Sequence, residues 1–219
     1  MIRKWLSTCV FLMAALAGSA SAIEVVVQEW DVPTPKSRPH DPEVAPDGSL
    51  WYTGQMANVL GRLDPRTGEI KEYRLKTAQS GPHGLIADKE GNIWFTASYK
   101  GYIGKLDPKT GAVTEYPMPD PRAGDPHTPI FDQSGTLWFT VQRGNFVGKL
   151  DPKSGKIVLK ESPTKNSIPY GIKVDSRGTP WFCEFGSNKL ASINPVTMEI
   201  ILLMRTGKAS SRTIARWKR

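Results

Sequence analysis

Trp51-Tyr52-Thr53, Trp94-Phe95-Thr96, Trp138-Phe139-Thr140 and Trp181-Phe182-Cys183 recur along the chain at spacings of 43, 44 and 43 residues. Asp64-Pro65, Asp107-Pro108, Asp151-Pro152 and Asn194-Pro195 keep the same period, as do Pro39-His40, Pro82-His83, Pro126-His127 and Pro169-Tyr170. Three markers in step define a repeat, and self-similarity at this period means an array, a solenoid or a propeller. In the second copy, 83–88 is a short, mostly apolar run, and Lys89-Glu90-Gly91-Asn92 turns the chain. The β-branched and aromatic run 93–97 follows, then an alternating run over 102–107. Asp107-Pro108-Lys109-Thr110-Gly111 is a turn, with Pro at its second position and Gly at its left-handed end. A last alternating strand covers 112–118. Four short antiparallel strands joined by tight turns make one propeller blade. The expected fold is therefore an all-β β-propeller of four-stranded antiparallel blades, with four blades present, in repeats starting near 39, 82, 126 and 169. A β-solenoid is the rival architecture, but its coils use shorter repeats. No segment sustains a 3.6-residue period, so little or no helix is expected. The repeated Trp falls on the second strand, where a large ring fills the space between neighbouring blades.

Outward from the repeat, the two ends of the chain follow other rules. Residues 1–22 read as a secretory signal peptide: Arg3 and Lys4, an apolar run from Trp5 to Ala17, then the small-x-small site Ala20-Ser21-Ala22. The run is too short for a membrane span. A secreted or periplasmic protein starting near Ile23, with no membrane anchor after signal cleavage, is expected. The blades then occupy 23–200, and 201–219 is a basic tail without repeat markers. The net charge of +8 belongs to these ends, since Arg3, Lys4, Arg205, Lys208, Arg212, Arg216, Lys218 and Arg219 account for all of it. The repeat body is neutral and carries no basic stripe for nucleic acid. Removal of the signal leaves Cys183 as the only cysteine, so no internal disulfide is expected, and no Cys/His zinc spacing occurs.

The three histidines, His40, His83 and His127, share one repeat position, at the start of the innermost strand, and Tyr170 takes it in the fourth copy. In a propeller these strands line the central channel, so equivalent positions ring one mouth. Imidazoles there can act as general bases near neutral pH. Duplication alone also places them in phase, and a His after Pro can simply hydrogen-bond within its turn. Glu184, on the second strand of the last copy, is a candidate metal or substrate ligand or else a solvated strand-end acid. Asp64, Asp107 and Asp151 are accounted for by their turns. There is no G-x-S-x-G elbow, phosphate loop or H-E-x-x-H.

The blade phrases carry a family resemblance. Pro82-His83-Gly84-Leu85, Gly91-Asn92-Ile93-Trp94-Phe95-Thr96, Ile103-Gly104-Lys105-Leu106-Asp107 and Ala112-Val113-Thr114-Glu115-Tyr116 resemble the virginiamycin B lyase (streptogramin lyase) family, over about residues 24–200. The resemblance implies a seven-bladed ring and a magnesium-dependent elimination that opens a cyclic depsipeptide ester, the inactivation of streptogramin B. It implies His127 of Asp125-Pro126-His127 as the base, with Asp125 as magnesium ligand in place of the family's Glu, and His83 one blade earlier contacting substrate. His40 and His83 form an alternative pair, with Gly81 at the acid position. His40 and Tyr170 complete the substrate-facing set, and Glu184 is the second candidate metal ligand. Against a seven-bladed ring, 25–32 reads as the outer strand of a preceding blade, and the abrupt change after 200 reads as a truncation or frameshift. An incomplete ring of this kind predicts self-association through unclosed blade edges. The competing functions are a non-catalytic exported propeller binding a small-molecule or peptide ligand or a protein partner, and a calcium-dependent lactone hydrolase on a similar scaffold. The lactone hydrolase needs an acid cluster that the His and Tyr positions do not supply.

Overall fold

Short apolar runs bounded by Gly, Pro and Asp turns give each repeat one antiparallel sheet. In the computed structural model, which describes residues 25–203, there are four such sheets. Blade 1 consists of β1 (Pro39–Val44), β2 (Leu50–Gly54), β3 (Val59–Leu63) and β4 (Ile70–Arg74). Blade 2 consists of β5 (Pro82–Ala87), β6 (Ile93–Ala97), β7 (Tyr102–Leu106) and β8 (Val113–Pro117). Blade 3 consists of β9 (Gly124–Phe131), β10 (Leu137–Arg143), β11 (Phe146–Leu150) and β12 (Ile157–Glu161). Blade 4 consists of β13 (Pro169–Val174), β14 (Pro180–Glu184), β15 (Lys189–Ile193) and β16 (Ile200–Leu203). Strands pair in chain order within every blade, and the innermost strands β1, β5, β9 and β13 touch in sequence. No helix occurs among the described residues, and none is long and apolar enough to cross a membrane.

The core lies between blades rather than within them. Trp51 and Leu60 of blade 1 meet Leu85, Ile93 and Phe95 of blade 2. Trp94 and Ile103 of blade 2 meet Leu137, Phe139 and Val141 of blade 3, and Trp138 and Val147 of blade 3 meet Ile172, Phe182 and Ala191 of blade 4. Trp51, Trp94 and Trp138 thus face the following blade and Phe95, Phe139 and Phe182 the preceding one, as strand alternation requires. The same geometry explains Gly104, which pairs with Phe95: a Cβ there would lie 2.1 Å from the Phe95 ring. The indole N–H groups are also satisfied. Trp94, Trp138 and Trp181 donate to Asp88, Asp132 and Asp175 at 2.8, 2.8 and 3.0 Å. Blade 1 has Ala45 at that position, and Trp51 donates instead to Ser49 Oγ at 3.0 Å.

The Asp-Pro turns close as expected. Gly68, Gly111 and Gly155 donate to the carbonyls of Asp64, Asp107 and Asp151 at 2.8 Å, each with a positive φ. Two boundaries differ from the sequence reading. Residues 25–32 carry no strand, and Val25, Val26 and Val27 are exposed. A strand requires a ladder partner, and each described sheet already has its own fourth strand. The fourth blade also runs past 200, because Leu202 and Leu203 pair with Ala191 and Leu190, and Leu202 packs against the blade 3–4 core. That strand is held by its ladder rather than by any repeat marker. The signal segment and the tail from 204 onward lie outside the described residues.

Candidate functional site

The first residues of the innermost strands place four rings in a ladder. Ring centroids are 4.1 Å apart for His40 and His83, 4.0 Å for His83 and His127, and 4.1 Å for His127 and Tyr170. Phe185 extends the ladder at 5.3 Å from Tyr170. The third residue of the Trp-Phe-Thr motif sets this spacing. Thr53 Oγ1 lies 2.7 Å from the His83 carbonyl oxygen, and Thr96 Oγ1 lies 2.8 Å from that of His127. Thr140 Oγ1 donates likewise to the carbonyl of Tyr170. Each hydroxyl thus fixes the backbone of the next blade's ring. Cys183 stands at this position in blade 4 and accepts from Gly171 N, as Thr96 and Thr140 accept from Gly84 N and Thr128 N.

The mouth around the ladder is apolar and open. Register pairs Pro39 with Gly54, Pro82 with Ala97 and Pro169 with Glu184, so the loops after β2, β6 and β14 lie at the same end as the rings. These loops expose Met56, Tyr99 and Phe185, and Tyr170 is itself partly exposed. Tyr99 covers Gly81, where a Cβ would come within 2.4 Å of its ring. Met56, Tyr99, Tyr170 and Phe185 thus gather exposed apolar surface at one end of the blades.

The polar groups differ along the ladder. Asp41 contacts both of the first two histidines: His40 Nδ1 lies 2.9 Å from Oδ1, and His83 Nδ1 lies 3.5 Å from Oδ2. Burial opposes ionisation of Asp41, but the neighbouring imidazoles outweigh it and hold the carboxyl below its ordinary range. His127 is 4% exposed, and its Nδ1 lies 2.9 Å from Thr128 Oγ1. Burial, with His83 alongside, lowers its pKa to about 4. The imidazole is therefore neutral at physiological pH, and in the tautomer that donates Nδ1–H to Thr128 Oγ1 the lone pair rests on Nε2.

The sequence-predicted residues divide. His40, His83, His127 and Tyr170 come together in one ladder, whereas Asp125 and Glu184 do not join them in a metal-ligand cluster. Glu184 is fully buried, with Oε1 accepting from Ser162 Oγ at 2.5 Å and Oε2 from Ser187 Oγ at 2.9 Å. It is neither a solvated acid nor a free ligand: it ties the linker between blades 3 and 4 to the end of β14. Asp125 has a φ of 62°, and the positions before the other three Pro markers, Arg38, Gly81 and Ile168, are left-handed as well. The local backbone thus accounts for an Asp there, since Asp tolerates this conformation better than most residues. Magnesium requires near-octahedral oxygen donors. Glu184 is closed off by its two hydroxyls, and Asp125 joins no group of three ligand residues among the described residues, so the two do not form a shared site. Asp41 was missed because its repeat equivalents are Gly84, Thr128 and Gly171. The signal was there in that departure: an acid next to His40 in one copy alone.

Blades of this phrase in a ring-lining array define a β-propeller, and the comparisons narrow the class. The sequence signature of the Virginiamycin B lyase family matches residues 15–210, and the chain belongs to that family. Virginiamycin B lyase from Staphylococcus aureus is similar in structure, with a TM-score of 0.76 and 32% identity, over 82% of this chain and 60% of that one. A catalytically inactive histidine-to-alanine variant of the S. aureus enzyme, with quinupristin, gives a TM-score of 0.75 at 29% identity, over 81% of this chain and 59% of that one. A streptogramin B lyase structure gives a TM-score of 0.75 at 34% identity, over 80% and 57% of the two chains. The chain therefore spans about 60% of the length of these relatives. No curated protein sequence matches it.

Proposed function

We propose that this chain carries the substrate-facing mouth of an exported streptogramin-type lyase. It takes a cyclic depsipeptide across the ring ladder, and His127 accepts the proton in an elimination that opens the ester. The observation that carries this reading is the unbroken ladder from His40 to Phe185 beneath exposed Met56 and Tyr99. Such a surface suits a ligand with several apolar and aromatic side chains. In the reaction, Nε2 of His127 takes the proton from the carbon next to a carbonyl. The C–H electrons form a carbon–carbon double bond, and the neighbouring C–O bond breaks to release the carboxylate. His83 and Tyr170, on either side of His127, orient the substrate. Magnesium is the metal that the family resemblance implies, but no step is assigned to it, because Glu184 is closed off by Ser162 and Ser187 and does not join Asp125 in a shared site.

Incubation with quinupristin tests the reading. Elimination yields a linear product of unchanged mass that chromatography separates from the substrate, whereas hydrolysis adds the mass of one water. Product formation abolished in His127→Ala supports the lyase, and absence of product with wild-type protein overturns it. A second reading is a binding propeller without turnover. It is favoured by the burial of His127 and by its lowered basicity, which makes it a weak proton acceptor. In that case quinupristin binds saturably, quenches the mouth aromatics and is recovered intact.

A further inference from the structure

We propose that His40, Asp41 and His83 form a binding site for a borderline divalent transition ion of the zinc type, built across the junction of blades 1 and 2. One ligand atom from each of the three residues lies within 4.8 Å of the others, and this is the only such group of three or more His, Cys, Asp or Glu residues among the described residues. The His83–Asp41 spacing suits a metal better than a hydrogen bond, whereas His40 Nδ1, 2.9 Å from Asp41 Oδ1, would exchange a hydrogen bond for the ion. Bonds of about 2.1 Å to a tetrahedral ion put neighbouring ligand atoms about 3.4 Å apart. His83 Nδ1 and Asp41 Oδ2 are separated by 3.5 Å, which is long for an N–H···O bond.

A second observation points into the same space. His83 is only 9% exposed, and its Nδ1 is a buried polar atom without a hydrogen-bond partner. Buried nitrogens are rarely left in that state. An ion held between this nitrogen and the carboxylate would satisfy both. The backbone is already fixed for the purpose, because Thr53 Oγ1 lies 3.0 Å from the His40 carbonyl oxygen and 2.7 Å from that of His83. The hydroxyl, with its one hydrogen, thus sits between both imidazole-bearing strands, nearer to that of His83.

The donor set selects the ion. Two imidazoles and one carboxylate suit zinc, cobalt or nickel, whereas magnesium takes oxygen ligands. Three protein ligands also leave a coordination position for water or for an oxygen of a bound molecule. Spacing rules applied to the linear sequence cannot find such a site, because His40 and His83 belong to different blades. The inference does not depend on the depsipeptide reading, and its test does not use activity.

The full chain, freed of metal, is titrated with Co2+ and then with Zn2+. The expected result is one ion per chain, with visible ligand-field absorption that Zn2+ displaces and excess Mg2+ does not. Asp41→Asn and His83→Gln each weaken Co2+ binding by about tenfold or more, while His127→Gln stays within about threefold. Should a variant fail to fold, NMR of the wild-type chain decides: Zn2+ shifts the ring signals of His40 and His83 far more than those of His127 and Tyr170. Absence of saturable binding, unchanged affinity in a folded Asp41→Asn variant, an equal loss in His127→Gln, or ring shifts centred on His127 overturns the proposal.

Discussion

The junction of blades 1 and 2 and the outer side of blade 4 set equivalent residues in different surroundings. At the junction Trp51 is 1% exposed, Thr53 bridges the backbone of two histidines, and Asp41 faces both rings. In blade 4 Trp181 is only half-buried, Cys183 replaces the threonine, and the ladder ends on Tyr170 and a Phe185 that is 71% exposed. A blade is a sheet with two apolar faces, and its own sequence prepares both. Whether a face becomes core depends on what lies against it. The middle of the ladder, His83 and His127, is therefore the enclosed part, while His40 and Asp41 at one end and Tyr170 and Phe185 at the other are partly or fully exposed.

The largest test of this contrast is truncation of the two tryptophans. Trp51→Ala should cost about 3–5 kcal/mol in urea unfolding, because it empties a sealed junction. Trp181→Ala should cost about 1–2 kcal/mol, since part of that ring stays in water in the folded state. Equal losses would break the comparison.

Acid titration probes the middle of the ladder. The folded-state pKa of His127, about 4, lies below its ordinary 6.5. Above pH 6.5 the residue is neutral in both folded and unfolded chains. Between about 6.5 and 4 only the unfolded chain takes up the proton, so stability falls across that window. The loss expected by pH 4.5 is about 1–2 kcal/mol once solvent screening at the open mouth is allowed for. His127→Phe should flatten the profile. Asp41 and Asp132, whose pKa values are lowered from 3.8, act below this window. A wild-type profile level from pH 7 to 4.5 would contradict the enclosure of His127.

The threonine position gives a smaller effect. Thr53→Val removes the hydroxyl from two buried carbonyls and should cost about 1–2 kcal/mol, whereas Cys183→Ser should stay within about 0.5 kcal/mol. Calorimetric melts of the two variants would compare them directly. The smallest effect is a gain. Ile168 is a β-branched residue at a φ of 49°. Ile168→Gly should raise stability by about 0.5–1 kcal/mol in denaturant unfolding, because glycine adopts that conformation without steric cost.

Much of the fold was legible because its markers are local. The Asp-Pro-x-Thr/Ser-Gly turns, the alternation of β7 and the run of β6 each state their conformation within five residues. The Trp could be assigned to the space between blades because a large ring on a second strand has few other places to go. β16 escaped the reading for the opposite reason: Ile200–Leu203 has no marker and takes its form from the ladder with β15. The phase of His40, His83, His127 and Tyr170 pointed to one mouth, but not to ring contacts near 4 Å. Asp125 attracted attention through its place before Pro126, and Glu184 through its charge at the end of a strand. Neither position reveals from sequence that Ser162 and Ser187 enclose one carboxylate, or that a left-handed backbone accounts for the other.

Residue order alone thus decided the strands and turns of each unit, because these follow from local interactions, and the period of the markers decided the repeat and the phase of the rings. Three features waited for the tertiary structure: the sealing of Trp51 but not Trp181, the enclosure of Glu184, and the meeting of His40, Asp41 and His83. Each depends on groups from different strands or blades approaching within a few ångströms, and burial, hydrogen bonding and metal-ligand geometry are properties of that approach.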